Sequence, residues 1–292
     1  MNPRPSVVLA RATHVLTAGG SPSPQAEART LLAHVLGCEP PALVLADDVD
    51  EVHQVRLDDL ISRRLSGVPV QHLTGEAFFR TVRLAVGHGV FVPRPETEVM
   101  TGWALDHLRA LDRPVVVELC AGSGAISKAI SAELPGCDQH AVELDAEAFG
   151  WAQRNLLDTG VNLWHGDMAE AFPELDGSVD LVIANPPYIP LEAWESVAAD
   201  VRDHDPALAL WSGDDGLDAT RVVARVAARL LRAGGLVCSE HAEVQELSAP
   251  EVFVRNGNFE QVRDERDLTG RPRFVTAVRR REGAVDMAGW NA

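Results

Sequence analysis

The chain has 292 residues, room for one large domain or for a medium domain with a small one, and two are expected. Its 26 basic and 43 acidic residues give a formal charge of -17, which works against attraction to a phosphate backbone or an anionic membrane, so neither direct nucleic-acid binding nor a membrane partner is expected. No apolar run reaches the length of a bilayer span, the N-terminus lacks an export segment, and Cys38, Cys120, Cys137 and Cys238 show no Cys-x-x-Cys spacing; reduced thiols and a cytoplasmic location are the expectation.

Residues 1–67 read as a small all-helical domain, because apolar stripes at helical spacing are bounded by start and stop residues. Ser23 is placed to cap a helix with Pro24 in its first turn, Leu31, Leu32, Val35 and Leu36 form its stripe, and Gly37 ends it. A further helix spans about Glu51 to Ser66. Its apolar side carries Val52, Leu57, Leu60, Ile61 and Leu65, while Asp58, Asp59, Arg63 and Arg64 face solvent and Gly67 follows. Alternation then takes over: Val82, Leu84 and Val86, followed by Gly87-His88-Gly89 and Val90-Phe91-Val92, predict a β-hairpin linker over 68–95.

Beyond Glu96, buried strands alternate with helices, the signature of an α/β fold with an open, mostly parallel sheet covered on both faces. Strands are predicted near 115–119, 139–143, 161–164, 179–184, 235–240, 251–254 or 259–263, and 273–279, within a domain over 96–281. Residues 282–292 lack periodicity and are expected to form a flexible tail. His14, His34, His53, His72 and His88 form no ligand-spaced cluster, so no metal is expected.

Val115-Val116-Val117-Glu118-Leu119 leads into Cys120-Ala121-Gly122-Ser123-Gly124 and a helical Ala125-Ile126-Ser127. Such a strand, glycine-rich turn and helix N-terminus let the backbone approach a ligand closely. The loop lacks the Gly-x-Gly-x-x-Gly spacing of a pyrophosphate site, which points to a nucleoside without that group. Glu143, at the end of the next strand, is placed to accept hydrogen bonds from both ribose hydroxyls. Asp167 either bonds an adenine amino group or is an ordinary acidic turn residue, and Met168 offers a polarizable sulfur to a ring face. Asn185-Pro186-Pro187-Tyr188 then ends the apolar run that starts at Val179. Two prolines cannot continue a ladder, so this segment is either a stiff turn or a pocket of acceptors. In the second case the Asn185 side-chain oxygen, the flanking carbonyls and the flat Tyr188 ring suit a planar NH2 group.

In chain order, Glu118-x-Cys120-x-Gly122-x-Gly124, Glu143, Gly166-Asp167 and Asn185-Pro186-Pro187-Tyr188 resemble the amino-methylating branch of the class I S-adenosylmethionine-dependent methyltransferases. Further stretches narrow this resemblance to the release-factor glutamine methyltransferases over nearly the whole chain. They are Gly67-Val-Pro69-Val-Gln71, Phe91-Val92-Pro93-Arg94-Pro95-Glu96-Thr97-Glu98, Asp205-Pro206 with Ala209-Leu210, Gly213-Asp-Asp-Gly216-Leu217, and Gly270-Arg271-Pro-Arg273. The resemblance implies a seven-stranded Rossmann-like sheet with a small helical N-terminal domain that recognises the substrate. It implies S-adenosylmethionine as cofactor, S-adenosylhomocysteine as product, and methylation of the glutamine amide in the Gly-Gly-Gln motif of peptide chain release factors. The sequence leaves the oligomeric state open, with a monomer favoured.

Carried onto this sequence, the resemblance makes Cys120, Ala121, Gly122, Ser123, Gly124, Glu143, Asp167, Met168 and Asn185 cofactor-binding residues. Asn185, Pro186 and Tyr188 are then catalytic, and Asn185, Pro186, Pro187 and Tyr188 with Phe91, Arg94 and Glu96 line the substrate pocket. The family usually has glycine where this chain has Cys120, aspartate where it has Glu143, an aromatic where it has Met168, and Glu-Pro where it has Asp205-Pro206.

An amide nitrogen is a poor nucleophile because its lone pair is delocalised, so positioning is the expected mechanism. The Asn185 side-chain oxygen and the Pro186 carbonyl accept the two N–H bonds, and the proton leaves after transfer without a strong base. Three alternatives stand beside this reading. An adenine-N6 methyltransferase needs a basic groove, against which the charge argues; a ribosomal-protein glutamine methyltransferase differs only in its docking surface; a non-catalytic adapter would keep a decayed methyltransferase fold.

Overall fold

The computed structural model describes residues 2–196 and 206–281; Asp205 and the expected tail over 282–292 lie outside the described residues. Two compact units are formed, one of residues 2–76 and 86–88, the other of residues 77–85, 89–196 and 206–281.

The first unit contains α1 (Pro5–Ala18), α2 (Pro24–Leu36), α3 (Glu51–Leu65) and the short α4 (Val70–Thr74). Proline opens α1 and α2, where a missing N–H leaves nothing unpaired. Gly37 ends α2 in the left-handed region at φ 64, whereas Ser23, though it is the cap residue, makes no side-chain cap bond. Asp50 does cap α3, accepting from the His53 N–H at 2.9 Å. Val8, Leu16, Leu31, Leu32, Leu57 and Ile61 make the core.

The apolar side of α3 is narrower than expected, because Val52 is 59% and Leu65 40% exposed. Arg64 also departs from the reading that turned it to solvent. Its Nε and Nη2 donate to Glu27 Oε2 and Oε1 at 3.0 and 3.1 Å, with both side chains only 10% exposed. A long guanidinium stem reaches around the helix where a short polar residue could not. This fork on a carboxylate ties α2 to α3, and Ser21 adds a hydroxyl donor to Glu27 at 2.6 Å.

In the hairpin, β1 (Glu76–Phe79) pairs with β2 (Val82–Ala85) around Arg80-Thr81, with Arg80 at φ 52. The turn therefore falls earlier than Gly87-His88-Gly89, and residues 90–92 form no returning strand. Val90 and Val92 are buried from an irregular segment instead, since Pro93 and Pro95 beyond them cannot join a ladder. Arg80 holds the hairpin to the body of the second unit through Glu133, with Nε and Nη2 donating at 2.7 and 2.8 Å.

The main sheet comprises β3 (Val115–Leu119), β4 (Asp138–Glu143), β5 (Asn162–His165), β6 (Val179–Ala184), β7 (Leu231–Glu240), β8 (Phe259–Arg266) and β9 (Pro272–Arg279). Their order is β5-β4-β3-β6-β7-β9-β8. The first five run parallel, β9 is antiparallel to β7, and β8 is antiparallel to β9. The helices are α5 (Pro95–Leu108), α6 (Ala125–Glu133), α7 (Ala146–Leu156), α8 (Ala207–Leu210), α9 (Asp218–Leu230) and α10 (Ser248–Asn256). Of the two strand alternatives, 259–263 lies in β8, while 251–254 lies in α10; a short apolar run does not separate strand from helix by itself. Val117, Leu119, Val182, Ala184 and Val237 of the sheet pack with Val223, Ala227 and Leu230 of α9 and with Phe253. Among the described residues no helix is long and apolar enough to cross a membrane.

Glu27→Ala leaves the Arg64 guanidinium buried without its acceptor, and the expected loss of stability in urea unfolding is about 3 kcal/mol. Arg11→Ala at the exposed Arg11–Asp58 pair serves as the control, with an expected change of under about 1 kcal/mol.

Candidate active site

In the parallel ladder Leu119 lies beside both Val142 and Ala184, Glu143 beside His165, and Ala184 beside Ser239. The carboxyl ends of β3 to β7 therefore form one level edge, and strand order reverses between β3 and β6, where sheets of this kind open a ligand crevice. Cys120–Gly124, Glu143, Asp167–Met168, Asn185–Tyr188 and Glu240 all sit at that edge.

The glycine loop is shaped by its own backbone. Cys120 (φ 60), Gly122 (φ 55) and Gly124 (φ 76) are all left-handed, which costs about 1 kcal/mol at Cys120, the one residue of the three with a side chain. The Ala121 N–H donates to the Val142 carbonyl at 3.0 Å. The Gly122 N–H donates to Glu143 Oε2 at 2.7 Å, and the Asp145 N–H donates to Oε1 at 2.8 Å. Each Glu143 oxygen keeps a second lone pair, so the carboxylate braces the loop and can still accept from a ligand. Burial pushes the Glu143 carboxyl up, opposed by these N–H bonds. A Cβ built at Gly122 meets nothing within 4 Å, so the loop borders open space there, whereas one at Gly124 would press on Leu156 at 3.0 Å. A bare backbone facing open space beside a buried carboxylate fits a nucleoside cofactor.

Beneath the loop, Ser127 donates to Glu118 Oε2 from its backbone at 2.9 Å and from its hydroxyl. Desolvation raises the Glu118 carboxyl to about 8. Asn155, which the sequence did not single out, donates to the Ser123 and Ala85 carbonyls at 2.9 and 2.8 Å, fastening the loop to β2. Cys120 Sγ lies 3.7 Å from Met168 Sδ, and burial first, then the nearby carboxylates, push its thiol up, so it is a neutral packing group. Asp167 is exposed and caps its own turn by accepting from the Ala169 N–H at 2.9 Å.

At the end of β6, Asn185 is half-buried and its Nδ2 donates to Thr97 Oγ1 at 3.1 Å. Thr97 Oγ1 donates to Glu240 Oε2 at 2.6 Å, and the Tyr188 hydroxyl donates to Glu240 Oε1 at 3.3 Å. Glu240 is 1% exposed. Burial raises its carboxyl to about 7, opposed by Thr97, Arg273 and Tyr188 and reinforced by Glu96. Pro186 is buried and Pro187 half-buried. Arg94 stacks on the Phe91 ring with its guanidinium carbon 4.7 Å from the centroid.

Thr97 and Glu240 were not picked out for the site from sequence. The signal was available: Glu240 ends an apolar strand at the sheet's carboxyl edge, as Glu143 does, and Thr97 sits inside the Pro-Arg-Pro-Glu-Thr-Glu stretch. The Gly213–Leu217 stretch also finds its reason here. Gly216, at φ 74, lies so close that a Cβ would stand 2.4 Å from the Tyr188 carbonyl oxygen and 2.8 Å from Gln245 Nε2. Gln245 Nε2 itself donates to that carbonyl at 3.0 Å.

Residues 8–75 match the PrmC N-terminal domain family and residues 82–200 the methyltransferase small domain family. The chain is 48% identical over 271 residues to a release factor glutamine methyltransferase of Streptomyces coelicolor, covering 92% of this chain and 96% of that protein. It is 42% identical over 270 residues to one from Mycolicibacterium smegmatis, covering 92% and 95%. The chain belongs to the release factor glutamine methyltransferase family. Membership extends the similarity to a 4-amino-L-phenylalanine/4-methylamino-L-phenylalanine methyltransferase of Streptomyces pristinaespiralis, 40% identical over 260 residues and covering 86% of this chain and 87% of that one. The family is S-adenosylmethionine-dependent, and the loop geometry suits that cofactor.

Two substitutions separate the halves of the site. Glu143→Ala is expected to weaken S-adenosylmethionine and S-adenosylhomocysteine binding by about 1.5–3 kcal/mol in calorimetry. Gly216→Ala, which must displace the Tyr188 carbonyl, is expected to leave that affinity within about threefold while lowering single-turnover methylation by about tenfold or more.

Proposed function

We propose that this chain methylates the side-chain amide nitrogen of the glutamine in the Gly-Gly-Gln motif of peptide chain release factors, in the cytoplasm and without binding nucleic acid directly. The observation that carries the reading is the Asn185–Tyr188 segment, held by buried partners at the sheet edge that also bears the nucleoside-shaped loop. Support comes from the names of the relatives and from the formal charge of -17, which disfavours a polynucleotide acceptor.

Cys120–Gly124, Glu143, Asp167, Met168 and Asn185 are the residues that would hold S-adenosylmethionine. When bound, it supplies a methyl group on a sulfonium and leaves as S-adenosylhomocysteine. Asn185 Oδ1 and the Pro186 carbonyl accept the two N–H bonds of the glutamine amide, which fixes its nitrogen and sets negative dipoles against the positive charge that develops there. Tyr188 packs on the amide plane, with Phe91, Arg94, Glu96 and Pro187 around it. Methylation makes the nitrogen acidic, and its proton passes to water. The helical unit, which extends through α4, docks the release factor, because one glutamine side chain offers too little contact to specify a protein.

Purified enzyme with labelled S-adenosylmethionine, offered full-length release factor, 4-amino-L-phenylalanine or an adenine-containing duplex in separate reactions, should modify the release factor alone. Mass spectrometry should place the methyl group on the Gly-Gly-Gln glutamine. Preferential labelling of the amino acid or the duplex would replace this acceptor with an aryl or exocyclic amine. Asn185→Ala should lower single-turnover methylation by about a hundredfold or more while cofactor affinity stays within about threefold.

A further inference from the structure

Resting on the acceptor reading above, we infer that Thr97 and Glu240 are positioning residues that fix which way the Asn185 amide faces. A threonine hydroxyl has a single proton, and Thr97 Oγ1 lies 2.6 Å from Glu240 Oε2 and 3.1 Å from Asn185 Nδ2. A carboxylate only accepts, so the Thr97 proton is committed to Glu240 and only lone pairs remain toward Asn185. The atom of Asn185 that faces Thr97 must then be the donor, Nδ2. Oδ1 is turned away from Thr97 and stays available as an acceptor.

An NH2 substrate requires that orientation. Were the amide turned over, Asn185 would present N–H to N–H, and its oxygen would meet the Thr97 lone pairs; both contacts would be repulsive. Charge on Glu240, two hydrogen bonds away, thus sets the polarity of the chain running from Asn185 through Thr97. The same carboxylate takes the Tyr188 hydroxyl on its other oxygen at 3.3 Å, so one buried group holds both ends of Asn185–Tyr188.

Protonation reverses the chain. A neutral Glu240 can donate to Thr97, which frees the Thr97 proton for Asn185 Oδ1 and stabilises the unproductive orientation. The groups that face Glu240 are Thr97 and Glu96 of α5, Tyr188 after β6, and Arg273 of β9. Burial holds the carboxyl up at about 7 against the combined pull of Thr97, Arg273 and Tyr188, so the reversal falls in the neutral range.

The test uses the full chain in three forms besides wild type: Thr97→Val, Thr97→Ser and Glu240→Gln. Three measurements are made across the neutral range: single-turnover methylation of full-length release factor, calorimetric S-adenosylmethionine affinity, and the side-chain amide resonances of Asn185 in asparagine-labelled, substrate-free protein. Thr97→Val should lower the single-turnover rate by about ten- to a hundredfold with cofactor affinity within about threefold, and Thr97→Ser should recover the rate to within about threefold of wild type. In wild type the Asn185 amide resonances should move and the rate should fall together as pH drops through about 7. Both steps should vanish in Glu240→Gln, which has no carboxyl to titrate.

Wild-type rate and amide shifts in Thr97→Val, or a pH step that survives in Glu240→Gln, would overturn the inference. The Ser and Gln forms decide it by themselves should Thr97→Val not fold. Wild-type enzyme that leaves release factor unmodified, while its Asn185 resonances still titrate with Glu240, would remove the acceptor and leave the relay standing.

Discussion

The candidate site residues that end β3 to β7 or follow them take their place from the hydrogen-bond register of those strands. Parallel strands carry no hairpins between them, so nothing but the ladder and the packing of the helices keeps their ends level. Leu119, Val142, Ala184 and Ser239 lie level across the sheet, Glu143 and Glu240 stand one residue beyond, and each loop begins its excursion from there. A one-residue slip of β6 would send the Asn185 side chain to the opposite face and bury a different set of apolar residues against α9. The fully apolar Leu181-Val182-Ile183-Ala184 forbids it only through shape, by the fit of Val182 and Ala184 to α9. Register and core are thus a single constraint, and the site is its by-product.

Along that edge three buried carboxyls, Glu118, Glu143 and Glu240, accept from neutral donors. Backbone N–H groups and hydroxyls serve them. Ser127 holds Glu118, Gly122 and Asp145 hold Glu143, and Thr97 and Tyr188 hold Glu240. Neutral donors have fixed directions, as a flexible ammonium would not, and they hold each carboxyl in place without neutralising it when it ionises. The Arg273 charge lowers the Glu240 carboxyl against the effect of burial.

The parts of this architecture that repeat were legible in the sequence, and the parts that depend on one side chain crossing to another element were not. Strands β3 to β6 follow from apolar runs bounded by glycine and proline, and the loop and the Asn185–Tyr188 segment follow from their position after those runs. The hairpin turn was misplaced because Gly87-His88-Gly89 is the louder turn signal, although the two residues Arg80-Thr81 suffice. Arg64 reads as solvent-facing on a helical wheel, which contains no account of Glu27 on another helix. Residues 251–254 read as a strand alternative, because so short an apolar run does not reveal the helical period it belongs to. Thr97 and Glu240 stand 143 positions apart, and no local pattern announces that they share a proton.

The raised carboxyls also give the fold a proton inventory of its own. An unfolded chain ionises Glu118 and Glu240 in the ordinary carboxylate range, but the folded one retains their protons up to about 8 and about 7. Between those limits the native state holds protons that the unfolded state has released, so the stability these two groups confer is greatest on the acid side and declines as pH rises. Folding near neutrality therefore draws protons out of solution at this edge, and the measured heat of folding will carry a contribution from whichever buffer surrenders them.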